Sequence, residues 1–494
     1  MKASMGLLAL LSACAVDTIG LAVFAGDSAI RDDGVDERTD ERDMAIVEVG
    51  ADEGPDARDA GIDAPDAMDR SVDPIDERPT CDDPNLRCVD NEERQCVDGV
   101  DTLVQRCALG CFGAARCAVL GPSNGIPSDV FSLADSDFTV SAGELLNFNT
   151  DNGRITRDGG EEVRPAGGGL QAGIHFSFIE APDQPIAIGV FTVVNLVVND
   201  EGRIRFVGRN AAALLASSSI RVDGFIDAGA RGRLGGPGGG DGGERGRGGG
   251  APGFEGSGGL TADRRQDRPG PDDYDAGGGG GGGGSTGGGN GGEEDGIFGQ
   301  AGTAISHETG SPLVGGGGGG AGGDGDSGND DPGGNGGGGG GALQISVNGP
   351  LEINGIIRTP GEGGAPNSAA GGGGGAGGLI VLEAVELSGS GGLYCNGGSG
   401  AQGADRQPGE RGLDGLERTP VAGLDVGEGA GGAGDTPAGA VGARDGDEDN
   451  GSNSASGGGG AAGRVVLRVR RNNFVGELSP TLEGGSREAL PRLE

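Results

Sequence analysis

Apolar and polar positions alternate in this chain over short runs that are separated by tracts of almost pure glycine. One run spans residues 343–357 and precedes the glycine-rich stretch 361–378; the next begins at Leu379 and ends at Gly389. Alternation with a period of two is typical of a β-strand that has one buried face. The pattern therefore predicts strands joined by glycine-rich segments, and it predicts no helix of useful length after Cys117.

Four segments resemble copies of one unit, with a first strand, a short polar break, a second strand containing glycine and a glycine-rich exit. They are residues 214–229, 342–361, 378–398 and 463–485. One unit cannot bury its own apolar face, whereas stacked copies can. We therefore expect an all-β domain over residues 124–485, an irregular parallel β-helix or solenoid with long glycine-rich loops, followed by a tail at 486–494. An antiparallel β-sandwich is the alternative.

The glycine tracts, such as 277–284, 315–320 and 336–341, have two interpretations. They are disordered loops, or they pack as extended left-handed polyglycine whose N–H and C=O groups bond laterally to neighbouring segments. In composition alone they resemble the glycine-rich domains of some receptor kinases and phage adhesins. Charged interruptions, as at Arg231 and at Glu293, argue against a large regular bundle.

Composition and charge narrow the classes of function. Of 494 residues, 117 are glycine and 3% are aromatic, so the apolar core must lie in the segments between the glycine tracts. The formal net charge of −40 repels nucleic acid phosphates, so we expect no nucleic acid partner. The same charge attracts divalent cations and basic partners.

The N-terminus has the features of an export signal. Lys2 precedes an apolar run, and Leu11-Ser12-Ala13-Cys14 resembles the lipobox of bacterial lipoproteins. That resemblance implies a signal peptide over residues 1–14, an acylated Cys14 and attachment to a membrane through lipid. Cleavage after Ala25 and plain secretion is the alternative. Residues 15–80 are acidic and lack a periodic apolar pattern, so we expect a disordered, extended tether.

A cysteine-rich module follows at residues 81–117. In an exported chain its even number of cysteines predicts three disulfides with fifteen possible connectivities. A zinc site is the alternative, and it is disfavoured because neither histidine lies nearby. Residues 107–117 resemble a small disulfide-rich module of exported myxobacterial proteins. The six cysteines are Cys81, Cys88, Cys96, Cys107, Cys111 and Cys117.

A second resemblance covers roughly residues 124–469. Its matching stretches are residues 149–155, 207–217, 377–384 and 463–467. In these motifs and their order the region resembles a group of glycine-rich exported proteins and lipoproteins of myxobacteria and related delta-proteobacteria. The resemblance implies an exported location and a shared architecture, and it implies no chemistry.

Few residues suggest chemistry. Asp445, Asp447 and Asp449 alternate before a glycine, a spacing that lets one loop surround Ca²⁺, although Asn450 and Ser456 depart from the EF-hand pattern. Residues 324–331 form a similar, weaker candidate. A hydrolytic triad would need His175, in an apolar strand, or His307, between glycine tracts. Once Cys14 is acylated and six cysteines are paired, Cys395 is left over, either as a small buried side chain or for intermolecular pairing.

The sequence therefore favours a non-catalytic structural or adhesive protein, lipid-anchored at the outer membrane or cell surface. We expect a surface polysaccharide or another surface protein as its partner, and no cofactor other than Ca²⁺. A Ca²⁺-dependent extracellular binding module is one alternative. An extracellular polysaccharide-active β-helix enzyme is another, disfavoured because the chain has no Trp and two Tyr to form sugar-binding platforms.

Overall fold

The computed structural model describes residues 81–494 with gaps. The gaps fall at residues 82–83, 108, 115, 246–263, 267–273, 294–296, 307–308, 325–331, 368, 404–437, 440–454 and 483–485. The regular structure of the described residues consists of strands and one 3-10 turn, Ser128–Leu133, which confirms the all-β prediction. Among these residues, no helix has the length and apolar character needed to cross a membrane.

The cysteine-rich module forms two small antiparallel sheets. The loops Asp90-Asn91 and Asp98-Gly99 have positive φ at both residues, as two-residue hairpin turns of the tightest kind require. They join the first three strands into one sheet, and the last two strands pair with each other. The strands are β1 (Arg87–Val89), β2 (Glu92–Val97), β3 (Val100–Arg106), β4 (Cys111–Phe112) and β5 (Arg116–Cys117).

The rest of the described chain forms two large sheets and one isolated hairpin. From β12 to β23, apart from the hairpin β16-β17, long strands and short strands alternate along the sequence. The strands are β6 (Phe138–Val140), β7 (Leu145–Asn149), β8 (Ile155–Arg157), β9 (Glu162–Arg164), β10 (Gly169–Gln171), β11 (Ile174–Ile179), β12 (Ile188–Val198), β13 (Arg203–Val207), β14 (Ala211–Val222), β15 (Phe225–Asp227), β16 (Arg264–Gln266), β17 (Tyr274–Ala276), β18 (Ala342–Ile353), β19 (Ile356–Arg358), β20 (Leu379–Gly389), β21 (Gly392–Tyr394), β22 (Arg464–Phe474), β23 (Glu477–Ser479) and β24 (Arg487–Ala489).

The long strands form one sheet, which we call the long-strand sheet. Its order is β10-β11-β12-β14-β18-β20-β22-β24, with β6 also paired to β12. Pairing is parallel from β12 to β24 and antiparallel at β10-β11-β12, so the sheet is mixed and does not close on itself. Residues 486–494, expected to be a tail, contribute β24 to this sheet, and Leu493 bridges Leu120.

The second sheet contains short strands only, and we call it the short-strand sheet; its order is β23-β21-β19-β15-β13-β7-β8-β9. The short strands β6, β10 and β24 belong to the long-strand sheet. Each of the four predicted units supplies one strand to each sheet, for example β18 and then β19. At the turn between them, Gly355 lies against the Gly224 carbonyl of the preceding unit, where a Cβ would overlap the backbone. Equivalent positions therefore stack from one unit to the next.

A dry apolar core lies between the two sheets. Its central row crosses the long-strand sheet in register, and its members are Phe176, Phe191, Leu214, Ile345, Leu382 and Leu467. Four phenylalanines pack edge to face or tilted at one end of this core, with ring centroids 4.8–6.1 Å apart. The apolar residues that alternate with polar ones in the sequence thus lie in this core.

The outer face of the long-strand sheet carries a buried polar cluster. Glu383 is 2% exposed and accepts hydrogen bonds from Gln344 (2.9 Å), from Ser346 (2.8 Å) and from the Ser123 backbone N–H (3.1 Å). Arg468 forms an ion pair with Glu383 at 3.2 Å. Because the carboxylate has several partners, we assign the cluster a structural role: it fastens the segment around Ser123 to the sheet.

Candidate functional site

Glycine-rich segments follow the short strands β15, β19 and β21 and precede the long strands β18, β20 and β22. The tract 371–378, for example, leads directly into β20, and it is buried along its length. Together these segments form what we call the glycine array. Its described tracts are residues 235–243, 277–284, 287–292, 297–305, 314–323, 333–341, 359–365, 370–378, 395–402 and 455–463.

The tract 371–378 shows how the glycine array is held together. Its backbone N–H groups donate in rotation to three neighbouring segments: Gly371, Gly374 and Gly377 donate to 455–461; Gly372, Gly375 and Gly378 donate to 359–365; Gly373 and Ala376 donate to 317–320. These distances are 2.8–3.1 Å. A repeat of three residues is that of the extended left-handed helix, which has no internal hydrogen bonds.

The carbonyl groups of the same tract rotate in the same way. Gly371 and Gly374 accept from the tract 277–284, Gly372 and Gly375 from 395–402, and Gly373 and Ala376 from 333–341. Six other segments therefore surround this one. Lateral bonding of this kind satisfies buried backbone groups that would otherwise be costly to remove from water.

Steric contact explains why glycine fills these tracts. The tract glycines from Gly371 to Gly378 have no left-handed φ, so torsional freedom is not the reason. At each of them a Cβ would overlap a backbone carbonyl of an adjacent segment; at Gly375 it would meet the Gly338 oxygen. Ala376 is the exception in this tract and is fully buried, so its methyl group fits where the others would not.

The described glycine tracts therefore adopt the packed arrangement and not the disordered one. The charged interruptions do not prevent it, because they lie at turns or edges. Arg231 bridges Leu234 across a turn in which Gly232 has φ +52°, and Glu293 is exposed. Ser285 and Thr286 likewise lie where one tract ends and the next begins, and both are half-buried.

A second candidate site is a cleft on the outward face of the short-strand sheet. It has a volume of about 180 Å³ and crosses β7, β13, β15 and β19. We call it the arginine cleft. Its lining residues are Leu145, Arg203, Ile204, Arg205, Phe225, Asp227 and Arg358.

The arginine cleft is positively charged. Arg358 approaches Asp227 at 3.4 Å, and the other carboxylate oxygen of Asp227 accepts the Gly229 N–H at 2.9 Å. The guanidinium of Arg203 lies 5.2 Å from the Phe225 ring centroid. Within the described residues, neither Arg203 nor Arg205 forms an ion pair, and the buried Nε of Arg205 has no hydrogen-bond acceptor. Counted over the lining residues alone, three arginines and one aspartate give a formal charge of +2.

The structure joins the six clustered cysteines into three disulfides. They are Cys81–Cys96, Cys88–Cys111 and Cys107–Cys117. The sulfurs of Cys88, Cys107 and Cys111 lie within 4.8 Å of one another, yet all three are consumed by disulfides and offer no thiolate to a metal. The connectivity depends on which hairpin ends meet, which the spacing of the cysteines does not determine.

Cys395 lies at the junction between β21 and the glycine array. It is fully buried; Thr359 donates a hydrogen bond to its sulfur at 3.2 Å, and its thiol faces the Arg464 carbonyl at 3.4 Å. Burial raises the pKa of the Cys395 thiol to about 12. A buried, protonated thiol is a packing residue and cannot reach a second chain in the folded protein.

The remaining predicted residues are not brought together. His175 lies on β11 and pairs with Thr192 in the long-strand sheet; burial, and then the charge of Arg164, lower its pKa. Asp324 accepts the Gly333 N–H at 2.9 Å. Cys14, the linker 15–80 and His307 lie outside the described residues, as do the candidate calcium ligands Asp445, Asp447 and Asp449.

Sequence reasoning missed the arginine cleft, although a signal was present. Arg203 and Arg205 flank Ile204 in an alternating strand, which places both on the face opposite the core. Their proximity to Asp227 and Arg358 depends on strand register, which no local pattern contains. No protein-family model matches this chain, and no curated protein and no solved structure matches it; its function is therefore inferred from its own residues and geometry.

Proposed function

We propose that this protein is a non-catalytic structural or adhesive component of the cell surface, built as an irregular parallel β-helix. Two features support that architecture. Long and short strands alternate along the chain, and each pairs in parallel with its equivalent in the next unit. In such a fold every coil adds one strand to each sheet, and neighbouring coils bury a common core.

The observation that carries the functional proposal is the glycine array. Segments that would ordinarily be mobile loops in solvent are instead hydrogen-bonded to neighbouring segments on several sides. They extend the strand stack, by which we mean the parallel strands of the long-strand and short-strand sheets. Such a body resists local opening, because each tract is held by several others at once. Rigidity of this kind suits a structural or adhesive role, in which shape must persist.

Export and anchoring complete the proposal. The lipobox-like Cys14 would carry the lipid, and the acidic segment 15–80 would hold the folded part away from the membrane. A surface polysaccharide or another surface protein would be the partner. The Ca²⁺-dependent module and the polysaccharide-active enzyme stay as the alternatives.

Expression with the native leader in a Gram-negative host tests this proposal. We expect radiolabelled palmitate to be incorporated into the wild type and not into Cys14→Ala. Protease added to intact cells should cut the linker and release a resistant fragment that begins near Cys81. Release of new reducing ends from polysaccharides by the purified chain would contradict the non-catalytic role. Full protection of the chain from protease on intact cells would contradict surface exposure.

A further inference from the structure

The arginine cleft is an unusual feature of a chain with a net charge of −40. Several exposed arginines of the described chain are paired with acidic neighbours, as Arg154 is with Glu162 at 2.9 Å. In the cleft, Arg203 and Arg205 have no such partner among the described residues. Two guanidinium groups that have no ion-pair partner and share one concave site can bind an anion, because each can donate two parallel hydrogen bonds to a carboxylate or sulfate.

The lining of the cleft also fits a ring. Leu145 and Phe225 contribute apolar surface beside the charged groups, whereas the Ile204 side chain lies in the core. Small-molecule sites commonly combine apolar walls with a few convergent polar groups. A cavity of about 150 Å³ holds a benzene-sized molecule. The volume of about 180 Å³ therefore has room for one ring-sized group.

Asp227 supplies a second contact of opposite sign. It is 8% exposed, held by Arg358 and by the Gly229 N–H, and it presents a carboxylate beside the arginines. A carboxylate accepts hydrogen bonds from hydroxyl groups, whereas guanidinium groups donate to anionic oxygens. The cleft thus places guanidinium donors for an acid group next to a carboxylate.

We propose that the arginine cleft binds an acidic sugar unit, a uronate or a sulfated sugar, of an extracellular polysaccharide. This inference rests on the proposed adhesive function and names its ligand class. The negative charge of the rest of the chain opposes polyanions at long range, so selectivity comes from contacts within the cleft. The acidic linker of the same chain is the competing occupant, and the test includes it.

Isothermal titration of the full chain with short oligosaccharides tests the cleft. The probes are trigalacturonate, its neutral methyl ester, a sulfated galactose trisaccharide and a peptide of residues 56–67. We expect trigalacturonate or the sulfated sugar to bind, and the methyl ester to bind at least tenfold more weakly than trigalacturonate. Binding by one anion and not the other identifies the acid group. Equal binding of trigalacturonate and its ester, or tighter binding of the peptide than of either sugar, would overturn the proposal.

Matched variants locate the binding. Arg205→Gln should weaken binding at least tenfold, and Arg154→Gln, which removes the same charge from an exposed ion pair, should change it less than twofold. Equal effects of the two substitutions would overturn the proposal. Unchanged melting of Arg205→Gln shows that a loss of binding is not a loss of folding. If no acidic sugar binds a wild-type chain that is folded and surface-exposed, the cleft assignment fails and the proposed function survives.

Discussion

The strand stack and the glycine array bury backbone in opposite ways. In β20, side chains such as Leu382 fill the space between two sheets, and the backbone bonds to a strand on either side. In the tract 371–378, which runs directly into β20, there are almost no side chains and the backbone bonds to six segments. The chain changes from one mode to the other at Leu379.

This difference shows what each region can tolerate. The stack is stabilised by apolar burial, which is roughly proportional to the area removed from water. The array has little such area, and glycine loses more conformational freedom on folding than other residues. Its hydrogen bonds contribute about 1 kcal/mol each, and only when the segments are already close. We infer that the stack positions the tracts and that their hydrogen bonds then hold them together.

The largest effect is expected from loss of a core side chain in the stack. Leu382→Ala removes a fully buried side chain from the central row and leaves a cavity, so the free energy of unfolding should fall by about 4 kcal/mol. Chemical denaturation measures it. Val475→Ala, at a residue 81% exposed, is the control and should change stability by less than about 0.5 kcal/mol. Similar values for the two would contradict a packed core.

A single added methyl group should disrupt the glycine array. Gly375→Ala places a Cβ on the Gly338 carbonyl, and we expect a loss of about 3 kcal/mol. Gly287→Ala is the matched control, because its nearest neighbour would be 3.6 Å away and its φ is not left-handed. There the lower entropy of the unfolded chain should stabilise the protein by about 0.5 kcal/mol. If both substitutions changed the free energy of unfolding in the same direction, the glycine tracts would not be closely packed.

The junction between the regions gives a smaller, pH-dependent effect. Because burial raises the pKa of Cys395 to about 12, the folded thiol stays protonated where the unfolded thiol, with a pKa of about 8.5, ionises. The unfolded state then binds fewer protons, so stability falls as pH rises above about 9, which amounts to about 2 kcal/mol between pH 8 and pH 10. In Cys395→Ala this loss of stability with rising pH should be absent. Denaturation curves of both chains at pH 8 and at pH 10 measure it. Identical pH dependence in both chains would show that water reaches the thiol.

The sequence predicted the strands better than their partners. β-Branched alternation identified segments such as β12 and β18, because side-chain periodicity is local. It left open the disulfide connectivity and the state of the glycine tracts. Packed and disordered polyglycine have the same composition, and hydrogen bonds between distant segments decide between them, as Gly279 to Gly371 does. The arginine cleft was missed for a related reason, since Asp227 and Arg358 are 131 residues apart.

Native-state hydrogen exchange of the amides from Gly371 to Gly378, read by mass spectrometry beside those of β20, tests the central claim most directly. If the tract is held by its neighbours, its amides should exchange as slowly as those of the adjoining strand, through the same cooperative opening. Exchange at the rate of an unstructured peptide, while β20 stays protected, would contradict the ordered glycine array.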